Sequence, residues 1–293
     1  LFSSHFVPHK LHNLSVSFQV DTFAENFGGC AGNVAYSLAL LGETPVILST
    51  GGVDFAKYRE YLAAKGISTD SIHVVDTDTT AAAYIMTDKA DNQIAAFYPG
   101  AGRTPYGNDI PADSATMGMI AAGCDDDMHN MPQVFRERGI KYTYDPGQHL
   151  TELSGERLLE ALSGAEVLFA NDYELGLIVF KTGLDEKALL ERVPCIVATL
   201  GAKGARLLTK GEELEIDVVK AGAVVDPTGA GDAHRAGFVK GMLAGLPMKQ
   251  CAQLASAVAS YAVEKYGTQS HTFTMPELQK RYQETYGENL PLA

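Results

Sequence analysis

The residues best suited to chemistry lie in one short stretch, residues 226–232, which reads Asp-Pro-Thr-Gly-Ala-Gly-Asp. Its two glycines allow backbone N–H groups to approach an anion without interference from a Cβ atom. Helical spacing follows at Ala236, Val239 and Leu243, so we expect a helix to begin within the stretch and to place partial positive charge there. Asp232 would lie in the first helical turn, beside a site suited to phosphate. Its carboxylate could orient a substrate hydroxyl and accept the proton as that hydroxyl attacks a phosphoryl group.

Two further expectations concern the local structure of this stretch. The β-branched residues Val224 and Val225 predict the end of a strand ahead of the turn. The helix N-terminus should lower the pKa of Asp232, so that the carboxylate would accept a proton only after bond formation has acidified the hydroxyl. The alternative is that Asp232 is only a helix cap and the glycines only a tight turn.

The run from Gly229 to Asp232, with Phe238 six residues after Asp232, resembles the C-terminal signature of the ribokinase-like (PfkB) family of carbohydrate and nucleoside kinases. The resemblance implies that Asp232 is the catalytic base. It also implies that the N–H groups of Ala230, Gly231 and Asp232 form an anion hole for the transferred phosphoryl group.

Two other details refine the resemblance. His234 stands where the family usually has Phe. Because His234 follows Asp232 by two residues in the helix, it should point away from the site, and we interpret it as a packing change. Residues 11–18 and 28–33 look like bacterial adenosine kinase-like members of the family.

A second group of residues, Gly28, Gly29 and Asn33, lies at the start of another predicted helix. The glycines allow close approach to the backbone, and the Asn33 amide can donate and accept hydrogen bonds with sugar hydroxyls. Glycine and asparagine are also common at helix ends. The segment resembles the N-terminal signature of the same family, which implies that these residues line the acceptor sugar site.

Asn171 and Glu174 follow the predicted strand 167–170 at its C-terminal end, where open α/β sheets bind ligands. They match the family's Asn-x-x-Glu motif, and the match implies that they organise Mg²⁺ and phosphates through water. Mg²⁺ prefers oxygen ligands and retains several waters, so one carboxylate and one amide suit it. A capping box formed by the same two residues explains them equally well.

A nucleotide site is implied by two other segments. Residues 199–204 follow the pattern of a strand and a glycine turn and resemble the family's nucleotide-binding loop, which implies that Thr199, Gly201 and Gly204 lie near the ATP ribose and phosphates. Ser256 belongs to a small-residue helix face that walls the adenine pocket in the family, although close helix packing needs the same residues. ATP and Mg²⁺ are the implied cofactors, and a monovalent cation is a further candidate.

Composition limits the choice of partners. Acidic residues outnumber basic residues 36 to 23, which gives a net charge of −13. No Lys/Arg cluster appears, so neither nucleic acid nor an anionic membrane is an expected partner. The four cysteines are far apart, which indicates free thiols of a cytoplasmic protein. No apolar run approaches the roughly 20 residues of a transmembrane helix.

Strands and helices alternate after residue 102, and this order predicts a largely parallel sheet covered by helices on both faces. The predicted strands are 117–121, 141–144, 167–170 and 195–200, followed by a hairpin at 205–209 and 214–219. The resemblance implies a three-layer α/β/α domain over residues 28–75 and 102–293.

A small β-sheet lid is expected over residues 11–27 and 76–101. Leu14, Val16, Phe18 and Val20 alternate as in a strand, and residues 81–86 and 93–98 predict a hairpin. The lid would close over the acceptor and exclude water that could hydrolyse ATP.

The predicted lid is apolar and partly aromatic, with Tyr84 and Phe97 among its side chains, and it offers no cationic cluster for a sugar phosphate. A base stacked above a ribose suits such a surface. We therefore expect a nucleoside acceptor, adenosine first, with Phe97 in its site. An unphosphorylated sugar of the ribose or fructose type is the alternative.

In the family, a strand that precedes the lid in the sequence supplies an Asp that binds the hydroxyls of the acceptor. We expect residues preceding Leu1 to supply it, as the simpler explanation; the alternative is that this protein lacks the Asp and would bind the acceptor poorly.

Two other classes of function were compared with a kinase. A non-catalytic nucleoside- or sugar-binding protein would gain nothing from a carboxylate in an anion hole. A dehydrogenase is disfavoured because the glycines at 229 and 231 lack the third glycine of the dinucleotide fingerprint. The sequence is compatible with a monomer and with a homodimer.

Overall fold

The computed structural model describes residues 15–89, 92–107, 110–111, 116–290 and 292. Its N-terminal part contains two helices and four short strands. They are α1 (Cys30–Leu40), β1 (Ser49–Gly51), α2 (Ala56–Ala64), β2 (Ile72–Val74), β3 (Ala82–Thr87) and β4 (Gln93–Tyr98).

The rest of the chain builds a six-stranded sheet and its helices. In chain order the elements are β5 (Gly118–Ile120), α3 (Asp125–Glu137), β6 (Tyr142–Tyr144), α4 (Gly155–Leu162), β7 (Ala165–Asn171), α5 (Asp172–Thr182), α6 (Glu186–Leu189), β8 (Cys195–Thr199), β9 (Ala205–Thr209), β10 (Glu212–Ile216), α7 (Ala230–Leu243), α8 (Met248–Ala262) and α9 (Met275–Tyr286). The strand order is β10-β9-β8-β7-β6-β5. Strands β5 to β8 are parallel, and β9 and β10 add an antiparallel hairpin, as predicted.

Helices cover both faces of this sheet. Val167 and Phe169 on one face of β7 pack into a core that includes Phe238 of α7, whose ring lies 5.3 Å from that of Phe169. Leu168 and Ala170, on the opposite face, belong to a core formed with α3, α4 and α5. Because successive strand residues point to opposite faces, a nearly continuous apolar strand is what a three-layer arrangement requires.

The register of the parallel strands brings several loops together. Tyr144 at the end of β6 pairs with Leu168, and Asn171 at the end of β7 pairs with Thr199 at the end of β8. The residues that follow these strands therefore share one edge of the sheet, where open α/β sheets bind ligands.

The predicted hairpin is confirmed, but the predicted strand beside it is wrong. Strands β3 and β4 pair antiparallel from Ala82 with Tyr98 to Thr87 with Gln93. Residues 15–27 contain no strand, and residues 11–14 of that prediction lie outside the described part of the chain. Alternation alone indicated the strand, yet a strand also needs a neighbour for its backbone hydrogen bonds. Phe23 within this segment is 89% exposed.

Other boundaries also differ from the predictions. Strand β1 (Ser49–Gly51) pairs in parallel with β2 (Ile72–Val74) in a separate two-stranded sheet. Val224 and Val225 are in no strand and are 73% and 56% exposed. Their β-branched side chains meet solvent rather than a neighbouring strand, so the predicted strand end is wrong. None of the helices in the described ranges has the length and apolar composition needed to cross a bilayer.

Candidate active site

Asp232 lies where the sequence predicts it, in the first turn of α7. Gly229 is the N-cap residue, and it has no side chain with which to cap the helix. Asp232 is 9% exposed, and its carboxylate faces Asn33 of α1. This geometry does not support the interpretation of Asp232 as only a helix cap.

The start of α7 offers backbone donors. The Ala230 N–H donates to Pro227 O at 3.2 Å, and the Ala233 N–H donates to Gly229 O at 3.0 Å. Between them, the amides of Gly231 and Asp232 have no acceptor among the residues that the structure describes. A helix N-terminus with unsatisfied amides attracts an anion. The geometry therefore fits a phosphoryl group at Gly231 and Asp232, while the Ala230 amide takes part in the turn.

Glycine is required at the N-cap position for two reasons. Gly229 has φ of 80°, a conformation that side chains other than glycine rarely adopt. A Cβ atom there would also lie 2.9 Å from the Cβ of Thr268. Thr268 in turn donates its hydroxyl to Phe27 O at 3.0 Å, so the loop before α7 packs against the residues that lead into α1.

The two predicted signatures meet at Asp232. Asn33 of α1 donates its Nδ2 to Asp232 Oδ2 at 2.7 Å, although the two residues are 199 positions apart. Asn33 is 5% exposed. An amide donor on one carboxylate oxygen fixes the orientation of the carboxylate and favours its ionised form.

Gln269 orients Asn33 in turn. The Gln269 Nε2 donates to Asn33 Oδ1 at 3.0 Å and to the Tyr58 hydroxyl at 2.6 Å. The Tyr58 hydroxyl donates to Gly28 O at 2.9 Å. Because the Asn33 oxygen faces a donor, its nitrogen must face Asp232. Asn33 thus lies beside the catalytic-base candidate, and Gly28 is linked to Asn33 through Tyr58 and Gln269. Contact of Gly28, Gly29 and Asn33 with an acceptor stays a prediction.

Sequence reasoning missed two residues of this site, Asp145 and Arg235. Asp145 immediately follows β6, and Asn171 is the last residue of the neighbouring strand β7 at the same edge of the sheet. Arg235 follows Asp232 by three residues on α7, and its Nη1 lies 3.6 Å from Asp232 Oδ1. Arg235 also donates its Nη2 to Asp145 Oδ1 at 3.1 Å. The strand-end rule and the i, i+3 spacing were the available signals.

The predicted direction of the Asp232 pKa is wrong. Burial raises the pKa of Asp232, and the Arg235 guanidinium and the Asn33 hydrogen bond lower it only in part. Removal from water disfavours the charged form of a carboxyl group, and here this effect is larger than the effect of its neighbours. A carboxylate with a raised pKa is a stronger base than the sequence led us to expect.

His234 is buried, in agreement with its interpretation as a packing residue. It is 5% exposed, and burial lowers its pKa to about 3. The ring is therefore neutral near pH 7, and it adds no charge beside Asp232.

Asn171 and Glu174 form a complete capping box at the start of α5. The Glu174 N–H donates to Asn171 Oδ1 at 2.7 Å, and the Asn171 N–H donates to Glu174 Oε2 at 2.8 Å. Each side chain thus uses one oxygen for the helix end. No group of three or more His, Cys, Asp or Glu side chains in the described ranges could hold a metal ion by itself. The residues fit Mg²⁺ that keeps its waters and shares phosphate ligands rather than an all-protein metal site.

The remaining predicted residues lie on three elements. Thr199 ends β8, and the loop after it closes with a bond from Leu200 N–H to Gly204 O at 2.8 Å. Ser256 lies on α8 and is 7% exposed. Phe97 lies on β4 and is 65% exposed. Their contacts with a ligand stay predictions.

Comparison with known proteins identifies the family. The sequence matches the pattern of pfkB family carbohydrate kinases over residues 6–275. It is 36% identical over 270 residues to the nucleoside kinase of Methanothermobacter thermautotrophicus, covering 90% of this chain and 87% of the relative.

Two solved structures of nucleoside kinases are also similar to this chain. The nucleoside kinase of Burkholderia thailandensis in complex with inosine is 32% identical, with a TM-score of 0.89 and coverage of 94% of this chain and 93% of that one. The nucleoside kinase of Methanocaldococcus jannaschii, an archaeal member of the ribokinase family, is 31% identical, with a TM-score of 0.82 and coverage of 93% and 91%. The predicted ribokinase-like α/β/α fold is confirmed, and the chain belongs to the pfkB family of carbohydrate kinases.

Proposed function

We propose that this kinase transfers the γ-phosphate of ATP to a primary hydroxyl of a nucleoside, with adenosine as the first candidate. The observation that carries the proposal is the position of Asp232. A buried carboxylate lies beside two amides at a helix N-terminus that have no acceptor within the described ranges, and Asn33 of the other signature contacts the carboxylate at 2.7 Å. This arrangement can activate a hydroxyl next to a bound phosphoryl group.

Each group of site residues would have its own role in the reaction. Asp232 would accept the hydroxyl proton, with its orientation fixed by Asn33. The amides of Gly231 and Asp232 would bind the transferred phosphoryl oxygens. ATP supplies the phosphoryl group, and Mg²⁺ neutralises part of its charge when bound. Asn171 and Glu174 would orient the waters of the metal ion, and Thr199, Gly201, Gly204 and Ser256 would bind the nucleotide.

A nucleoside acceptor is supported by two observations. Relatives that are 36% and 33% identical to this chain are nucleoside kinases, and a similar solved structure holds inosine. The hairpin of β3 and β4 exposes aromatic side chains, with Tyr84 and Phe97 each 65% exposed, which suits stacking on a base. A ribokinase of Haemophilus influenzae is a more distant relative at 23% identity, so a free sugar is the second candidate.

The acceptor is tested by measuring ADP release from ATP and Mg²⁺ with a panel of adenosine, inosine, other nucleosides, ribose and fructose. We expect the highest kcat/KM with adenosine. Turnover with ribose or fructose alone would overturn the nucleoside acceptor and keep the kinase mechanism. Measurable nucleoside binding without turnover for any acceptor would favour a non-catalytic binding protein.

The Mg²⁺ role of Glu174 is separable from its role in the helix cap. Glu174→Gln should keep the capping box, because a glutamine side-chain oxygen accepts the same bond. The lost negative charge should raise the Mg²⁺ concentration for half-maximal turnover by about tenfold, with kcat recovered at saturating Mg²⁺. Initial rates over a Mg²⁺ series, together with the thermal midpoint, measure both effects.

The matched control is Glu277→Gln. Thr274 and Glu277 form the corresponding capping box at the start of α9. This control should leave the Mg²⁺ dependence unchanged. An unchanged Mg²⁺ dependence in Glu174→Gln as well would show that Glu174 only caps α5.

The proposal also includes the domain bounds, the cellular location, a monovalent cation and the oligomeric state. We retain residues 11–27 and 76–101 as the lid and residues 28–75 and 102–293 as the nucleotide- and substrate-binding domain. A cytoplasmic location is supported by the four cysteines, all of which are free. A monovalent cation and a monomeric or homodimeric state stay candidates.

A further inference from the structure

We propose that Arg235 is a positioning residue for Asp232, and that Asp145 holds Arg235 in place for this purpose. The inference rests on the proposed phosphotransfer function and deepens it. It assigns a role to the buried Asp145 and the partly buried Arg235, which the sequence motifs did not include.

The geometry links three elements of the fold. Arg235 lies one helical turn after Asp232, with Nη1 3.6 Å from Asp232 Oδ1. Its other side faces Asp145, which accepts a hydrogen bond from Nη2 at 3.1 Å and forms an ion pair with Nε. The guanidinium therefore lies between the two carboxylates.

Asp145 is itself fixed to the edge of the sheet. Its N–H donates to Ile120 O at 2.8 Å, and its Oδ1 accepts from the Gly147 N–H at 3.2 Å. Asp145 is 2% exposed, so its negative charge needs a partner. These contacts fix Asp145 relative to the C-terminal ends of β5 and β6, and Asp145 in turn fixes Arg235.

Arg235 also lies against the loop that forms the anion site. A Cβ atom on Gly231 would be 2.5 Å from Arg235 Nη1, so a larger residue at 231 would displace the guanidinium. On the opposite side, Asn33 holds Asp232 Oδ2 at 2.7 Å. With one partner near each oxygen, the Asp232 carboxylate cannot rotate freely, and its two oxygens keep defined directions. An ion pair that only joined β6 to α7 would need no contact with a third residue.

The charges around Asp232 support this task. Arg235 is the cation beside it, whereas Cys30 on α1, Asp145 after β6 and Glu174 on α5 are the other titratable groups that act on this cluster. Burial raises the pKa of the Cys30 thiol to about 12, so this side chain is neutral. Burial also raises the pKa of Asp145 to about 6, against the effect of Arg235.

The direction in which the Asp232 pKa should change without Arg235 follows from these neighbours. Arg235 lowers the pKa of Asp232, so without Arg235 that pKa should rise further. The base form of Asp232 would then be lost at a higher pH.

The test compares Arg235→Gln, Arg235→Lys and Asp145→Asn by two measurements. Carbon-13 NMR of the labelled aspartate carboxyl groups follows the Asp232 pKa in the ligand-free protein, with the signal assigned from Asp232→Asn. The pH dependence of kcat and kcat/KM follows the same group during turnover. The NMR measurement does not depend on activity, so it tests the inference even if the proposed function fails.

We expect Arg235→Gln to raise the Asp232 pKa and the acidic limb of the rate profile by about one pH unit. The kcat should fall by about tenfold to hundredfold, because the carboxylate loses its orientation. Arg235→Lys should keep the Asp232 pKa closer to its wild-type value than Arg235→Gln does, but it should recover little of the lost kcat. Lysine keeps the positive charge but lacks the planar set of N–H donors of a guanidinium. Asp145→Asn should lower kcat without raising the Asp232 pKa, because the guanidinium stays but loses its anchor.

Arg136→Gln is the matched control for losing a well-bonded arginine. Arg136 donates to the Tyr142 hydroxyl and to Ser163 O on the α3 side of the sheet. This control should lower the thermal midpoint and leave the Asp232 pKa unchanged. If Arg235→Gln also changes only the thermal midpoint, Arg235 is a structural ion-pair residue and the inference is overturned. Absence of wild-type turnover with every acceptor would instead overturn the proposed function alone.

Discussion

Asp232→Asn is expected to lower kcat by about a thousandfold, with little change in the affinity for the acceptor. Asparagine has nearly the same size as aspartate, but its amide cannot accept the hydroxyl proton. The Asp145–Arg235 pair does not depend on this carboxylate, so the fold around α7 should persist. ADP-release kinetics give kcat, calorimetry gives the acceptor Kd, and the thermal midpoint reports the fold.

Asp185→Asn provides a control for a helix-cap role. Asp185 caps α6 through a bond from the Ala188 N–H at 2.8 Å, and asparagine caps a helix about as well as aspartate. The control should therefore keep wild-type kinetics. If Asp232→Asn were tolerated in the same way, Asp232 would not be the base, and the proposed mechanism would be wrong.

Gly229→Ala is expected to give the second largest effect, a fall in kcat of about a hundredfold. The left-handed conformation at φ of 80° costs alanine roughly 1–2 kcal/mol, and its Cβ would also approach the Cβ of Thr268 to 2.9 Å. The backbone must move to relieve this contact, and the amides of Gly231 and Asp232 would move with it. Single-turnover kinetics and chemical denaturation measure the two consequences.

Gly245 offers a control in the turn after the same helix. It has φ of 72°, and no atom lies within 4 Å of an added Cβ. Gly245→Ala should therefore lower the free energy of unfolding by the backbone cost alone, roughly 1–2 kcal/mol, and leave kcat unchanged. Equal kinetics for the two alanine variants would show that the geometry at Gly229 does not position the anion site.

Several parts of the fold could be predicted because they depend on neighbours in the sequence. The start of α7, the pairing of β3 with β4 and the parallel strands β5 to β8 follow from helical spacing, turn residues and apolar runs. The position of Asp232 in the first helical turn could be predicted for the same reason. The failed strand over residues 15–27 had local alternation, but no strand in the described part of the chain pairs with it.

The contacts that define the site were not readable from sequence. Asn33 and Asp232 are 199 positions apart, and Asp145 and Arg235 are 90 apart. No local pattern specifies which polar residues meet over such separations, although the strand-end position of Asp145 could have marked it as a candidate.

The sequence by itself determined the candidate catalytic carboxylate, its helix and the family signatures around it. Only the tertiary structure decided the ionisation and orientation of that carboxylate. Burial raises the pKa of Asp232, whereas the helix N-terminus alone predicted a lowered pKa. Loss of water depends on every element packed around a side chain, and its free-energy cost can exceed the effect of the local backbone.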